Sequence, residues 1–209
     1  MGKPEKAAAI LVAFFIFMSG SAGLDIGGQQ NFDGDIKYFQ ETRLTDGETA
    51  QALGGMLSCV IGAMLDRQCF LLEGEPDVKL ASLSVLYAVY RNAAPYICEY
   101  IDDRVAVISQ SGMARLYSGM FAHGELTALD TGTAEENVYV LGDKIVIFII
   151  KKQGVRLDWV SAEKEKDGSM TVYYQVGKNG ADICRANVNL TKTGGWAAGY
   201  SINSIALTY

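Results

Sequence analysis

The apolar residues of this chain keep a helical spacing as far as residue 122. From residue 137 they keep a spacing of two, and that change of period governs what the chain can become. Ala50, Leu53, Leu57, Val60 and Met64 recur in steps of three and four, one stripe of a helix. Thr45-Asp46-Gly47-Glu48 precedes them as a capping box, hydroxyl and carboxylate each taking one orphan backbone donor. A second stripe, Ala52, Gly55, Cys59, Gly62 and Ala63, predicts close packing against another element, because a helical glycine costs about 1 kcal/mol relative to alanine. The glycine pattern GGxxxxxxG is also compatible with a membrane helix, but Asp46, Glu48, Asp66 and Arg67 bracket only a short apolar span.

Glu73-Gly74-Glu75-Pro76 breaks that helix, and Val78, Leu80, Leu83, Leu86, Tyr87 and Tyr90 predict a second one to about Asn92, stopped by Pro95. Val105 to Ile108 predicts a strand, and Met113, Leu116, Met120 and Phe121 place a third helix over 111–122. Beyond it come strand candidates at 137–141, 144–152, 155–164, 169–177, 182–192 and 196–207. The residues between them, among them Gly142, Gly154, Gly168, Gly180 and Gly194, tolerate the positive φ of tight hairpins. Such short turns demand antiparallel neighbours. Val155, Leu157 and Trp159 alternate with Arg156 and Asp158, and Met170, Val172, Tyr174 and Val176 with Thr171, Tyr173 and Gln175, so one face of those strands is covered. Ile145 to Ile150 is apolar throughout, which predicts a central strand or a homodimer interface. The expected fold class is α+β, N-terminal helices packed on a curved antiparallel meander sheet. The expected division is a signal over 1–22, an irregular lead-in over 23–44 and one domain over 45–209.

With 49% hydrophobic and 20% charged residues, the chain has the composition of a globular protein. A net charge of −6 leaves no basic excess for nucleic acid. Lys3 and Lys6, the uncharged run Ala7 to Met18 and the small residues Ser19 to Gly23 form the three parts of a secretory signal, with cleavage expected after Ala22. Without cleavage, residues 7–24 would hold the chain in a membrane. Export permits disulfides, but Cys59 and Cys69 on one helix would stand about 15 Å apart, too far to bridge. With Cys98 and Cys184 they read as buried small hydrophobes. Neither a CxxC pair nor a second histidine is present to build a metal site, and no metal or cofactor is expected. Asp33-Gly34-Asp35 lacks the spacing and closing Glu of an EF-hand loop.

RVAVISQSGMARLYSGMFA at 104–122, DGSMTVYYQV at 167–176 and ANVNLTKTGGWAAGYSI at 186–202 resemble the first strand, pocket-closing helix and last hairpins of the nuclear transport factor two-like superfamily, the cone-shaped fold of ketosteroid isomerases. The resemblance spans about residues 45–207. It implies a cavity between helices and sheet, in a family of isomerases, dehydratases, hydrolases and plain binding modules. Fold does not choose among these.

Tyr87, Tyr90, Tyr117 and Trp159 are the candidate ligand contacts, rings with one polar tip that suit a mostly apolar cavity. Ordinary core packing is the competing reading. Asp102, Asp103 and His123 are the candidate acid–base groups of an enzyme, although adjacent aspartates on an extended strand face opposite ways and their competing task is a turn beside Arg104. Ser109-Gln110-Ser111-Gly112 lacks the first glycine of a hydrolase elbow, and no phosphate-binding glycine loop is present. Asn189-Leu190-Thr191 fits a glycosylation sequon. The leading expectation is an exported, non-catalytic domain that binds a small apolar ligand or a protein partner. The alternatives are a cavity enzyme of isomerase or dehydratase type, using a pocket carboxylate and tyrosine, and a bitopic subunit of an envelope assembly.

Overall fold

The computed structural model describes residues 46–130, 137–150, 154–195 and 198–209. The signal, the lead-in, Asp33-Gly34-Asp35, Thr45 of the capping box and Trp196 lie outside them. The described helices are α1 (Asp46–Asp66), α2 (Val78–Tyr90) and α3 (Gln110–Met120). The strands are β1 (Leu71–Glu73), β2 (Glu99–Tyr100), β3 (Val105–Ser109), β4 (Val138–Leu141), β5 (Lys144–Phe148), β6 (Arg156–Lys164), β7 (Met170–Lys178), β8 (Ala181–Gly195) and β9 (Gly199–Thr208). The architecture is α+β, helices N-terminal to a curved antiparallel sheet.

Each helix end has a local cause. Asp77 caps α2, its carboxylate accepting from the backbone N–H of Lys79 and of Leu80, both at 2.9 Å. Ser109 caps α3 through Gly112 N–H at 2.9 Å, so Ser109-Gln110-Ser111-Gly112 is a helix start. Gln68 and Asn92 adopt left-handed φ values of 54° and 51°. Each closes the helix before it with paired bonds, Cys69 N to Met64 O and Gln68 N to Leu65 O after α1, Ala93 N to Ala88 O and Asn92 N to Val89 O after α2. The first helix therefore stops at Asp66, before the break expected at 73–76, and leaves room for β1. Of the small-residue stripe, Gly62 alone of its two glycines meets a neighbour: a Cβ there would stand 3.1 Å from the Tyr87 ring, while one on Gly55 would touch nothing. α1 is long and apolar enough to cross a membrane, and most of it is buried inside the fold.

The expected single meander is divided between two sheets. One runs β1-β9-β8-β7-β6, the other β2-β3-β5-β4. The hydrophobic pattern accounts for the division. Val105 to Ile108 and Ile145 to Phe148 are apolar and buried at every position, so β3 and β5 pair with each other and bury both faces. One face, with Ala106, Ile108, Ile145 and Ile147, joins the main core; the other gathers Val105, Val107, Val146 and Phe148 against Ile101, Tyr139 and Leu141. In the other sheet β6, at the edge, is mostly exposed, while β7 and β8 alternate, as does β9 beyond its bulge. Their inner side chains, such as Val172, Tyr174, Ala186 and Ile205, face α1 and α3, and Tyr174 donates its hydroxyl to Ala50 O at 2.8 Å.

Candidate functional site

The outward side of the five-stranded sheet is set by the same alternation. On β8, Cys184, Ala186, Val188 and Leu190 are buried and Arg185, Asn187 and Asn189 point away from them. Register then aligns residues far apart in sequence. Ala206 pairs with Asn187, Asn187 with Tyr173 and Tyr173 with Ser161, one straight row across β9, β8, β7 and β6. A flanking row carries Thr208, Arg185 and Gln175. Val160 is the extra residue of a bulge in β6, which turns it outward beside Ser161. Together these side chains and Glu163 line an open groove of about 530 Å³.

The polar groups of this groove are mostly unspent. Gln175 donates its amide to Cys184 O at 3.0 Å. Arg185 and Glu163 form no ion pair, and Tyr173 and Asn187 no side-chain hydrogen bond, among the described residues. Elsewhere on the same sheet the polar groups satisfy one another. Asn203, the extra residue of a bulge in β9, accepts at its Oδ1 from His123 Nε2 at 2.7 Å and donates its amide to Asn189 Oδ1 at 3.1 Å, and Asn189 donates to Thr171 at 3.3 Å. The sequon asparagine is thus tied into the sheet face.

Of the four aromatic candidates, three sit in the helical layer and have their hydroxyls or rings engaged there. Tyr87 is buried and donates to Asp66, whose other oxygen takes Lys178 Nζ at 2.9 Å. Burial first, and the Asp66 carboxylate second, push the Tyr87 phenol well above its ordinary range. Tyr90 stands 6.3 Å from it, ring to ring, and burial pushes its phenol up to about 12. Tyr117 lies against Phe121 and donates to His123 O at 2.7 Å; burial and then Glu75 push it up to about 12. Trp159 is 49% exposed on the inward side of edge strand β6, opposite Tyr174, and is not brought to the other three.

The acid–base candidates are likewise apart. Asp102 accepts from the N–H of Arg104 at 2.7 Å and of Val105 at 2.8 Å, a turn that starts β3. Asp103 is exposed, 3.8 Å from the Arg104 guanidinium. His123 follows α3 and bonds Asn203, with no bond to either aspartate. All four cysteines are free thiols, three buried and Cys69 half-buried. Burial pushes Cys59 and Cys98 up to about 11. No three His, Cys, Asp or Glu side chains among the described residues gather into a metal-binding group.

Tyr173, Arg185 and Asn187 were not singled out from the sequence. The signal available there was an outward face in which Asn, Thr, Ser and Gln stand where long charged side chains are the usual solvent covering. The chain matches no family model, no curated protein and no solved structure.

Proposed function

We propose that this chain is an exported, non-catalytic binding domain whose binding face is the outer groove of the five-stranded sheet. One observation carries the reading: Arg185, Glu163, Tyr173 and Asn187 converge on a groove of about 530 Å³ and have no side-chain partner among the described residues. Polar groups that the fold leaves unspent around a concavity are the usual furniture of a recognition site. The inner aromatic residues are less suited to that task, since the hydroxyls of Tyr87, Tyr117 and Tyr174 are already given to Asp66, His123 O and Ala50 O. The likeness to the nuclear transport factor two-like superfamily belongs to this proposal as its expected lineage. A homodimer, in this reading, uses a surface other than Ile145 to Phe148, which the chain buries itself.

Amide-resolved NMR of the full chain against a small-fragment library tests the binding face. Shifts clustered on residues 173–175, 185–187 and 206–208 are the expected result; shifts clustered around Tyr87, Tyr90 and Tyr117 would move the site to the helical layer. Intact mass of the exported form tests the leader. A chain beginning at Gly23 supports export by cleavage, and a chain beginning at Met1 in the membrane fraction supports the bitopic alternative.

A further inference from the structure

We propose that the groove takes a neutral oligosaccharide laid across the strands; this rests on the binding-face reading above. The groove's charges set the first limit. Arg185 on one flank and Glu163 on the other are opposite in sign, so neither a polyanion nor a polycation is complementary to it, and a net charge of −6 works against nucleic acid. Its apolar content sets the second. Ala206 and Val160 are the aliphatic residues among its outward side chains, too little for an acyl chain or for a peptide held by apolar anchors. A peptide bound by strand addition would need a free edge; β7, β8 and β9 have both edges paired, and the free edge of β6 would place such a peptide beside the groove and not across it.

What the groove does offer is planar polar groups around one ring. Asn187, Glu163 and Arg185 each present neighbouring donors or acceptors in one plane, the arrangement that two adjacent sugar hydroxyls can meet together. Tyr173, in the middle of the row, supplies a ring face for the C–H face of a pyranose and a hydroxyl at its edge. The row Ala206–Asn187–Tyr173–Ser161 crosses four strands, so its side chains repeat about every 4.8 Å, close to the length of one sugar unit. The ligand would lie perpendicular to the strands, one residue per strand.

The test is calorimetry and amide-resolved NMR of the full chain with cellohexaose, maltohexaose and chitohexaose. Binding of at least one at millimolar or tighter affinity is expected, with shifts on residues 173–175 and 185–187. Tyr173→Ala should weaken it about tenfold, and Asn187→Ala by a smaller factor, with each variant still folded at the temperature of the titration. Failure of all three sugars overturns the proposal, as does binding that Tyr173→Ala leaves intact. If fragments cluster on the groove while every sugar fails, the ligand class falls and the binding face stands; if neither binds there, both fall.

Discussion

The two sheets of this molecule are built from the same β-branched and aromatic vocabulary and use it in opposite ways. In the four-stranded sheet β3 and β5 bury every apolar side chain, on both faces. In the five-stranded sheet β7 and β8 bury alternate residues and leave a polar outer face. A strand with two buried faces has no side chain to spare for recognition, whereas an alternating strand carries structure on one face and chemistry on the other. That is why the groove lies on the second sheet.

The sharpest way to break this comparison is an aspartate scan. On β5, Val146→Asp and Ile147→Asp point to opposite faces and should be equally damaging, each costing about 4 kcal/mol or more because an unpaired charge is buried either way. On β7, Val172→Asp should do the same, and Thr171→Asp should cost no more than about 1 kcal/mol, from repulsion by Glu163 directly opposite. Urea unfolding of the four variants reads the result. A tolerated Val146→Asp would mean that the second face of the smaller sheet is solvent-accessible, and the contrast would fail.

Alkaline pH probes both sheets at once. Burial raises Cys59 and Cys98 to about 11, from 9.0, and Tyr90 and Tyr117 to about 12, from 10.0, and raises Tyr100 and Tyr174 further. A raised acid keeps its proton in the folded chain after the unfolded chain has released it, so the folded state is the more protonated one and stability falls as pH rises. The contribution is whole below 9.0 and is lost from there upward, first through the thiols and then through the phenols. The urea midpoint should be flat at neutral pH and fall steeply through that window, with tyrosinate absorbance rising only as the chain unfolds. An early rise without unfolding would place the phenols in water.

Each sheet is tied to the helical layer by one tyrosine hydroxyl, Tyr174 to Ala50 O at 2.8 Å and Tyr100 to Val89 O at 3.0 Å. Tyr174 is 2% exposed and Tyr100 is half-buried. Tyr174→Phe should therefore cost about 1 kcal/mol. Tyr100→Phe should cost less, because water can reach the vacated site and Val89 O keeps its bond from Asn92 N. Thermal midpoints of the two variants order them, and a larger loss for Tyr100→Phe would place the firmer anchor on the smaller sheet.

Much of this fold is legible in the residues. Helical spacing and the hairpin turns place three helices and seven strands, all but the end of α1 to within a few positions, and the alternation of β7 identifies its inner face. What escapes is set by contacts distant in sequence or by unusual backbone. Gln68 closes α1 in a left-handed conformation that glycine would have advertised, and β1 and β2 are too short to carry a period. The division into two sheets depends on β3 finding β5 across the whole of α3. The groove is harder still, because it exists only once register sets Ala206 beside Asn187 and Tyr173 beside Ser161, and the bulge at Val160 reverses which side chains of β6 point outward. Tyr87 and Tyr117 were visible as residue types, but where a phenol sends its proton is a property of the packed molecule.

The smallest expected effect is the most informative about the outer face. Asn187 is exposed and unpartnered among the described residues, so Asn187→Ala should change stability by no more than about 0.5 kcal/mol. Val146→Ala, on the second face of the smaller sheet, should cost about 2 kcal/mol through the cavity it leaves. Equal losses would mean that Asn187 is packed against something in the native molecule, a second copy or another part of the chain. Dilution separates those two, because a loss that shrinks as the protein is diluted belongs to an interface between copies and a constant loss to the chain itself. A near-neutral Asn187→Ala leaves the five-stranded sheet with a surface that folding does not need, and such a surface can vary with the demands of a ligand while the inner face holds the fold.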